Sequence, residues 1–440
     1  MTSASRKTNI TLEQINTIHF VGIGGIGMSA LARHFVAEKK VVRGSDRELT
    51  DLTKTLSAEG VQVCCPQTAE NIAPDTQLVI YTEAVTKGSD GWAELEEARK
   101  KKIPCVNYFE ALGLAMNPYY LIAVAGTHGK TTTTAMLTDI FAAAQKDPTA
   151  VIGSLRAKTK TNYRAGKSKY AIVEACEYKR DFLFLRPEIL VITNIELDHV
   201  DYYTSLADVQ DAFRTLVSQV SQSGVVVCDT KDPNVIPVIE GAACKVVDYT
   251  EFIDLQLALK QPGLHNKLNA AAAITAAMQE KINRNDASQT LTQFAGTWRR
   301  YEYKGELNGV PVYDDYAHHP TAIKMTIDAT RELYPDKRIV VVFKPHTYSR
   351  TAALFDQFAK SFAGADQVML LPIYGAREEN VTGVTSRELA VKTLEYVPGA
   401  QYFDSHESLQ AHLRSHLSPG DVLVVMGAGD VTKVADCLTK

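Results

Sequence analysis

The stretch YLIAVAGTHGKTTTT, residues 120–134, joins an apolar run to a glycine loop and then to a helical pattern. This order of strand, glycine loop and helix is typical of phosphate-binding loops in α/β domains. Backbone N–H groups at the helix start attract an anion, Lys130 neutralises phosphate oxygens, and the Thr131 hydroxyl can reach Mg²⁺. The loop has two residues between its glycines where the common phosphate-binding loop has four, so an ordinary strand–helix turn remains open as well. Because the loop lies between a strand and a helix and leads into Lys130, ATP is the expected reactant.

Similar apolar runs alternate with helical patterns along the rest of the chain. They lie at 18–22, 78–81, 120–125, 171–174, 189–193, 224–229, 338–344, 367–371 and 421–426. Continuous apolar strands bounded by turns and helices predict an α/β fold with mainly parallel sheets. Breaks near 116–118 and 296–297 predict three domains, 1–117, 118–295 and 296–440.

The composition narrows the class of protein. With 47 Lys and Arg against 51 Asp and Glu, the net charge of −4 predicts neither nucleic acid nor an anionic membrane as a partner. The seven cysteines form no C-x-x-C pair, which predicts neither a disulfide framework nor a zinc site and favours a reducing compartment. Residues 1–9 lack the apolar core of a secretory signal, and no stretch approaches the ~20 residues of a membrane span. A cytoplasmic protein is expected.

A second glycine loop lies near the N-terminus. Gly22, Gly24, Gly25 and Gly27 form a G-x-G-x-x-G pattern between an apolar strand and a helix. This pattern suits a nucleoside diphosphate at a helix N-terminus. Asp46 ends the next strand, where an acidic residue can bind a ribose hydroxyl. A dinucleotide cofactor, another nucleoside diphosphate, and a tight turn that holds no ligand all remain open.

Polar residues follow two apolar strands in the central segment. Glu174 and Glu177 follow the strand at 171–174, and Asp198 and His199 follow the strand at 189–193. Ligands of α/β sheets bind at the carboxyl ends of strands, so these four residues are candidate Mg²⁺ ligands. A second metal ion would help to neutralise ADP and the transferred phosphoryl group. His199 could instead have a capping or surface role.

Further polar clusters lie at the start of an alanine-rich helix and in the C-terminal segment. Asn266 and Asn269, with His265, suit contacts to adenine or phosphate. The C-terminal cluster contains two arginines, two carboxylates and three histidines: Arg299, Arg300, Asp314, Asp315, His318, His319 and His346. It is too polar for a core, so it predicts a binding site.

Taken in order, these motifs resemble those of the Mur ligase family. They are GIGGIGMSALA at 22–32, GTHGKTTTT at 126–134, TNIELDH at 193–199, PGLHNKLNAAAA at 262–273, RRYE at 299–302, DDYAHHPT at 314–321 and PHTYSRT at 345–351. A Mur ligase phosphate loop has the short G-x-x-G-K-T spacing found here. The resemblance implies a UDP-binding Rossmann-like domain, a central ATPase domain, and a Rossmann-like C-terminal domain that holds an amino acid.

The resemblance also implies the reaction and its cofactors, ATP and Mg²⁺. The carboxylate of UDP-N-acetylmuramate attacks the γ-phosphate of ATP, giving an acyl phosphate and ADP. The amine of L-alanine then attacks the acyl carbon, and phosphate leaves from a tetrahedral intermediate. This is a step of peptidoglycan precursor synthesis. Because a carboxylate attacks a triphosphate, Lys130, two Mg²⁺ ions and the arginines must screen like charges.

By motif position, the resemblance implies a role for each site residue. The ATP loop comprises Gly126, Thr127, His128, Gly129, Lys130, Thr131 and Thr132. Thr131 and Glu174 would hold one Mg²⁺ and His199 the other. The remaining ATP contacts would come from Asn266, Asn269, Arg299 or Arg300, and Asp314 or Asp315. The substrate contacts would come from Gly22, Gly24, Gly25, Gly27 and Asp46 for the UDP-sugar, and from His318, His319, His346, Tyr348 and Arg350 for alanine and the acyl phosphate.

The sequence departs from the family pattern at two places. The acidic stretch E-A-D-E-S-D has Cys176 in place of a carboxylate and Tyr178 in place of a serine, and 229–262 is short. Tyr178 is a feature of the recycling ligase that adds a preformed tripeptide to UDP-N-acetylmuramate, whereas PHTYSR at 345–350 favours L-alanine. Outside the family, the competing hypotheses are an NAD-dependent dehydrogenase, which leaves the Lys130 loop unexplained, and a non-catalytic nucleotide switch.

Overall fold

The computed structural model describes residues 10–376 and 378–439, so the segment 1–9 considered as a signal lies outside the described residues. The chain forms three separate β-sheets, each covered by helices, which confirms the predicted three-domain α/β fold.

The first sheet contains five parallel strands in the order β3-β2-β1-β4-β5, the doubly wound arrangement of a Rossmann-like domain. Its strands are β1 (Thr17–Val21), β2 (Val41–Ser45), β3 (Gln62–Cys64), β4 (Leu78–Tyr81) and β5 (Cys105–Asn107). Its helices are α1 (Ile26–Ala37), α2 (Asp51–Ala58), α3 (Trp92–Lys100) and α4 (Tyr108–Met116).

The second sheet has seven strands in the order β12-β11-β10-β6-β9-β7-β8, and only the β7–β8 pair is antiparallel. Its strands are β6 (Tyr120–Ala125), β7 (Thr149–Val151), β8 (Tyr163–Arg164), β9 (Tyr170–Glu174), β10 (Ile189–Ile192), β11 (Val225–Cys228) and β12 (Lys245–Asp248). Its helices are α5 (Lys130–Ala143), α6 (Leu206–Val217), α7 (Ile236–Ile239), α8 (Leu264–Gln279) and α9 (Arg284–Thr292). The short 229–262 stretch contributes one edge strand.

The third sheet has six strands in the order β13-β14-β18-β15-β16-β17. The strands are β13 (Glu302–Leu307), β14 (Val310–Asp315), β15 (Arg338–Phe343), β16 (Gln367–Leu370), β17 (Ala400–Tyr402) and β18 (Asp421–Met426). The helices are α10 (Pro320–Leu333), α11 (Tyr348–Ala353), α12 (Phe355–Ser361), α13 (Ser386–Thr393), α14 (His406–His416) and α15 (Thr432–Leu438). Strand β13 was not among the predicted apolar runs, because this half-exposed antiparallel edge reads EYKGEL.

The central strands are apolar because helices cover both of their faces. β10 and β18 are buried along their whole length, as expected of strands inside a parallel sheet. One apolar core runs from the first sheet into the second and includes Leu31, Leu112, Leu121 and Phe213. The chain passes from the first sheet to the second between Asn107 and Tyr120, and from the second to the third between β12 and β13. The exact domain bounds stay a prediction.

Across residues 10–376 and 378–439, none of the helices combines the length and apolar composition that a bilayer crossing needs. A cleft of about 830 Å³ lies between the second and third sheets. The carboxyl ends of β6, β9 and β10 face it from one side, and the residues after β14 and β15 face it from the other. Ile26, at the start of α1, lies at one end of the cleft.

Candidate active site

The loop between β6 and α5 needs both of its glycines. Gly126 and Gly129 have φ values of +130° and +82°. A Cβ on Gly126 would lie 2.1 Å from Thr193 Oγ1, and one on Gly129 would lie 2.2 Å from Asn269 Oδ1. Both values are far inside contact distance, so the loop packs directly against the end of β10 and against α8. This close approach leaves backbone, not side chains, at the start of α5.

The segment after β10 holds the loop with neutral groups. The backbone N–H of His128 donates to Asn194 Oδ1 at 2.9 Å, and Thr193 Oγ1 donates to the His128 carbonyl at 2.6 Å. The N–H of Glu196 donates to Thr127 Oγ1 at 2.8 Å. Sequence reasoning considered only the last two residues of TNIELDH. The signal for the others was their place directly after the strand that neighbours β6.

Lys130 is a buried cation beside a carboxylate. Its Nζ lies 2.9 Å from Glu177 Oε2 and donates to the carbonyls of Gly126 and Thr127. Burial by itself would lower the pKa of Lys130, but the charges of Glu177 and, more weakly, Glu174 outweigh it and raise the pKa. The ammonium is therefore charged at neutral pH and lies over the phosphate loop.

The predicted Mg²⁺ ligands lie along one wall of the cleft. Thr131 Oγ1 donates to Glu174 Oε1 at 3.1 Å, and the N–H of Gly153 donates to Glu174 Oε2 at 2.9 Å. A Cβ on Gly153 would lie 2.2 Å from the same carboxylate oxygen, so this glycine lets Glu174 reach the loop. His199 Nε2 lies 3.7 Å from Glu177 Oε1. The hydroxyl of Thr131 and the carboxylate of Glu174 are oxygen donors of the kind that Mg²⁺ prefers, so these residues fit the ion. Glu177 pairs with Lys130 and does not line the cleft.

Two residues in the altered acidic stretch also face this wall. The ring of Tyr178 lies 4.8 Å from that of His199, and its hydroxyl donates to Asp201 Oδ2 at 2.9 Å. Cys176 lines the cleft, and burial, followed by the charge of Glu177, raises the pKa of its thiol to about 12. Cys176 is therefore a neutral thiol at physiological pH.

The two adjacent arginines have different environments. Arg300 Nη2 lies 3.3 Å from Thr131 Oγ1, so Arg300 reaches the phosphate loop from the C-terminal domain. Arg299 is buried and pairs with Asp314 at 3.0 Å. Asp314 is fully buried and does not line the cleft. Asp315 does line it, and its carboxylate accepts hydrogen bonds from the backbone N–H groups of Tyr301 and Ala317. Both arginines line the cleft, whereas of the two carboxylates only Asp315 does.

A buried ion pair joins the central and C-terminal domains. Arg350 Nε donates to Asp198 Oδ1 at 2.8 Å, and Arg350 Nη1 lies 3.2 Å from His346 Nδ1. Burial would raise the pKa of Asp198, but Arg350 outweighs it and holds that pKa well below its usual range. Asp198, predicted as a metal ligand, thus pairs with an arginine here. Burial, followed by the charge of Arg350, lowers the pKa of His346 to about 4. The predicted substrate residue Tyr348 begins α11 beside Gly375 and does not line the cleft.

The far end of the cleft is more apolar. Asn266 Nδ2 donates to the carbonyl of Pro262 at 2.8 Å, which fixes the side chain at the start of α8. Leu268 and Met325 line the cleft at this end with Asn266 and Asn269. Flat apolar space with a few amide groups suits an aromatic base.

The N-terminal glycine loop approaches the opposite end. The N–H of Gly24 donates to Asp46 Oδ2 at 2.7 Å, so this carboxylate supports the loop directly. Gly22 has φ +84°, and a Cβ there would lie 2.5 Å from Thr82. Ile26, at the start of α1, lines the large cleft, whereas none of the predicted UDP-sugar residues does: Gly22, Gly24, Gly25, Gly27 and Asp46. His318 and His319 line the cleft opposite the phosphate loop.

Comparisons with known proteins agree with this arrangement. Three family profiles match the chain: "Mur ligase family, catalytic domain" at residues 17–120, "Mur ligase middle domain" at 124–253, and "Mur ligase, glutamate ligase domain" at 299–429. The UDP-N-acetylmuramate–L-alanine ligase of Agathobacter rectalis is 38% identical over 96% of this chain and 97% of its own. The enzyme of that name from Clostridium novyi is 37% identical over 97% of this chain and 98% of its own.

Solved structures show the same likeness. The UDP-N-acetylmuramate–alanine ligase of Thermotoga maritima has a TM-score of 0.79 and 27% identity, and the match covers 96% of this chain and 98% of that one. A murein peptide ligase of Psychrobacter arcticus has a TM-score of 0.72 and 25% identity, with the same coverage.

Proposed function

This chain belongs to the Mur ligase family, and we propose that it joins L-alanine to the carboxylate of UDP-N-acetylmuramate while ATP becomes ADP and phosphate. One observation carries the proposal. Lys130, Glu174 and Arg300 converge on Thr131 at the start of α5, from both sides of the cleft, in a chain that aligns along nearly its whole length with L-alanine ligases.

The first step is the attack of the muramate carboxylate on the γ-phosphate of ATP. A bond forms between a carboxylate oxygen and phosphorus, the bond to the β-phosphate oxygen breaks, and ADP leaves. Lys130 of the loop and Arg300 of the C-terminal domain, which reaches Thr131, offset the negative charge that gathers there. The backbone N–H groups at the start of α5 bind the phosphates.

In the second step the amine of L-alanine attacks the acyl carbon and phosphate leaves. His346 and Arg350 are the proposed contacts for the alanine carboxylate and the acyl phosphate. The low pKa of His346 keeps its imidazole neutral at pH 7, so it acts as a hydrogen-bonding group or proton acceptor, not as a fixed charge. Arg350 supplies the fixed charge. This cleft is enclosed by two domains, which slows hydrolysis of the acyl phosphate.

We propose that Thr131, Glu174 and His199 hold Mg²⁺ with the ATP phosphates. Bound Mg²⁺ would offset phosphate charge during transfer. The variant His199→Ala is expected to raise the Mg²⁺ concentration needed for half-maximal turnover about tenfold. An unchanged Mg²⁺ titration would remove His199 from the metal site. Because the reaction uses ATP, we also propose that it takes place in the cytoplasm.

The main competitor within the family adds a preformed tripeptide in place of L-alanine. The likeness to a murein peptide ligase and the presence of Tyr178 after Glu177 favour it. The relatives named as L-alanine ligases, at 37% and 38% identity, favour L-alanine.

The test is phosphate release with ATP, Mg²⁺ and UDP-N-acetylmuramate, with either L-alanine or L-Ala-γ-D-Glu-diaminopimelate added. Release that depends on L-alanine is the expected result. Release with the tripeptide alone would retain the fold and the ATP chemistry but would overturn the amino acid assignment. No release with either would contradict the ligase proposal.

A further inference from the structure

Two histidines and a glutamate meet where the phosphate loop faces the start of α10. His128 belongs to the loop, Glu196 follows β10, and His319 caps α10 in the C-terminal domain. Glu196 Oε2 lies 3.5 Å from His128 Nε2 and 3.7 Å from His319 Nδ1, and each residue has a ligand atom within 4.8 Å of the other two. None of the three belongs to the proposed Mg²⁺ set.

Two of the three ligand separations are close to those of a tetrahedral metal site. Zn²⁺ bonds imidazole nitrogen and carboxylate oxygen at about 2.0–2.2 Å, which places neighbouring ligands of a tetrahedron about 3.4 Å apart. The 3.5 and 3.7 Å separations here are close to that edge, and too long for good hydrogen bonds. A dication could therefore bind between these groups with small side-chain movements.

The cluster is also incompletely satisfied. His128 Nε2, the imidazole atom that faces Glu196, is buried and has no hydrogen-bond partner. His319 Nδ1 accepts only a 3.3 Å bond from the N–H of Thr321, at the long end of the range. A buried imidazole nitrogen without a partner costs free energy that a metal ion would recover.

The carboxylate is already held in place for such a ligand role. Thr321 Oγ1 donates to Glu196 Oε2 at 2.6 Å, across the domain interface. A hydrogen bond to a ligating carboxylate orients it, as in established metal sites.

We propose that His128, Glu196 and His319 form a second metal site, for a first-row transition dication of the Zn²⁺ class, with water as the fourth ligand. Two imidazoles and one carboxylate select such ions over Mg²⁺, which prefers an all-oxygen shell. Because two ligands come from the central domain and one from the C-terminal domain, the ion ties the two domains together across the cleft.

The probe is Co²⁺ alone, followed by its visible absorption, in nucleotide-free protein with millimolar Mg²⁺ present. One competing site must first be removed. His412 and His416 are stacked with ring centroids 3.8 Å apart on the exposed helix α14, a spacing that itself binds such metals. The double variant His412→Ala/His416→Ala is therefore the parent protein for every titration.

We expect the parent protein to bind one Co²⁺ with intense tetrahedral absorption that Zn²⁺ displaces. His319→Ala and Glu196→Gln should each weaken binding at least tenfold. Circular dichroism confirms folding of each variant. The matched control is His199→Ala, which removes an imidazole from the proposed Mg²⁺ set and should leave Co²⁺ binding unchanged.

Loss of Co²⁺ binding in His199→Ala with retention in His319→Ala would place the ion in the Mg²⁺ site and overturn the proposal. Weak octahedral absorption, or no stoichiometric binding, would also overturn it. Thermal unfolding tests separately whether the ion links the two domains. Zn²⁺ should raise the unfolding midpoint temperature of the parent protein and not that of the His319→Ala variant. The result does not depend on turnover, so it is independent of the amino acid substrate.

Discussion

The two glycine loops of this protein share a backbone plan but differ in charge. Each joins a buried parallel strand to a helix, and each has glycines that a side chain could not replace without a clash. The loop at 22–27 contains no cationic side chain and is supported by the carboxylate of Asp46. The loop at 126–129 leads into Lys130 and is supported by the hydroxyl of Thr193 and the amide of Asn194.

We propose from this difference in charge that the first loop only binds its ligand, whereas the second takes part in phosphoryl transfer. A carboxylate next to a loop is tolerable where a diphosphate is only bound and a sugar hydroxyl needs an acceptor. Neutral supports and a buried lysine suit a loop where negative charge must be stabilised during phosphoryl transfer. The same local fold thus serves two roles, and the residues around it decide which.

The largest expected effect comes from removing the cation of the second loop. Lys130→Ala should lower turnover about a thousandfold, because the transferred phosphoryl group loses its buried counter-charge. Phosphate release measures it. Lys54→Ala, an exposed lysine of α2, is the control and should keep normal turnover. Near-normal ADP release by Lys130→Ala would end the assignment of this loop to ATP.

A pair of glycines tests the close approach itself. Gly129 and Gly60 both have positive φ, but a Cβ on Gly60 meets nothing within 4 Å, whereas one on Gly129 meets Asn269. Gly60→Ala should cost about 1 kcal/mol of stability and leave activity intact. Gly129→Ala should also lower kcat/KM for ATP about a hundredfold, because the loop must move. Equal kinetics for the two variants would show that only backbone conformation matters.

The first loop predicts a smaller and more selective effect. Asp46→Asn weakens the charge-assisted bond to the N–H of Gly24 and should raise the KM for the UDP-sugar about tenfold. The KM for ATP and kcat should stay within about twofold, because the second loop is untouched. A matching rise in the KM for ATP would argue against separate roles for the two loops. Steady-state kinetics with each substrate varied decides it.

A further prediction concerns stability alone, at the helix that follows the first loop. His34 of α1 lies 3.2 Å from the Tyr163 hydroxyl of β8, and burial, then Lys40, lowers its pKa to about 4. The unfolded chain binds this proton near pH 6.5, so His34 contributes destabilisation that grows as the pH falls from 6.5 to 4. The loss reaches at most about 3 kcal/mol. His34→Gln should flatten this part of the pH profile in urea unfolding, and an unchanged slope would contradict it.

Much of the fold was accessible from local pattern. The apolar runs at 78–81, 120–125 and 421–426 coincide with β4, β6 and β18, because strands buried on both faces must be apolar throughout. The apolar pattern did not predict strand β13, because its antiparallel edge position leaves it half exposed. Cysteine counting likewise predicted no zinc site, and the site we propose contains no cysteine.

The residues of the candidate site were also predicted only in part from the sequence. Motif order placed Arg299, Arg300, Asp314 and Asp315 in one cluster, but adjacent residues on a strand point to opposite faces. Sequence could not say which of Asp314 and Asp315 faces the cleft, since that depends on how β14 packs in its sheet. In the structure Asp315 lines the cleft together with both arginines, and Asp314 is buried in an ion pair with Arg299.

The sequence alone determined the fold class, the two glycine loops and the family, because these follow from short-range spacing of apolar, glycine and charged residues. Only the tertiary structure decided which distant residues meet. Asp198 pairs with Arg350, and Glu196 lies between His128 and His319, at an interface between domains that are far apart in the chain. Such contacts depend on how the domains pack, and no local pattern encodes that packing.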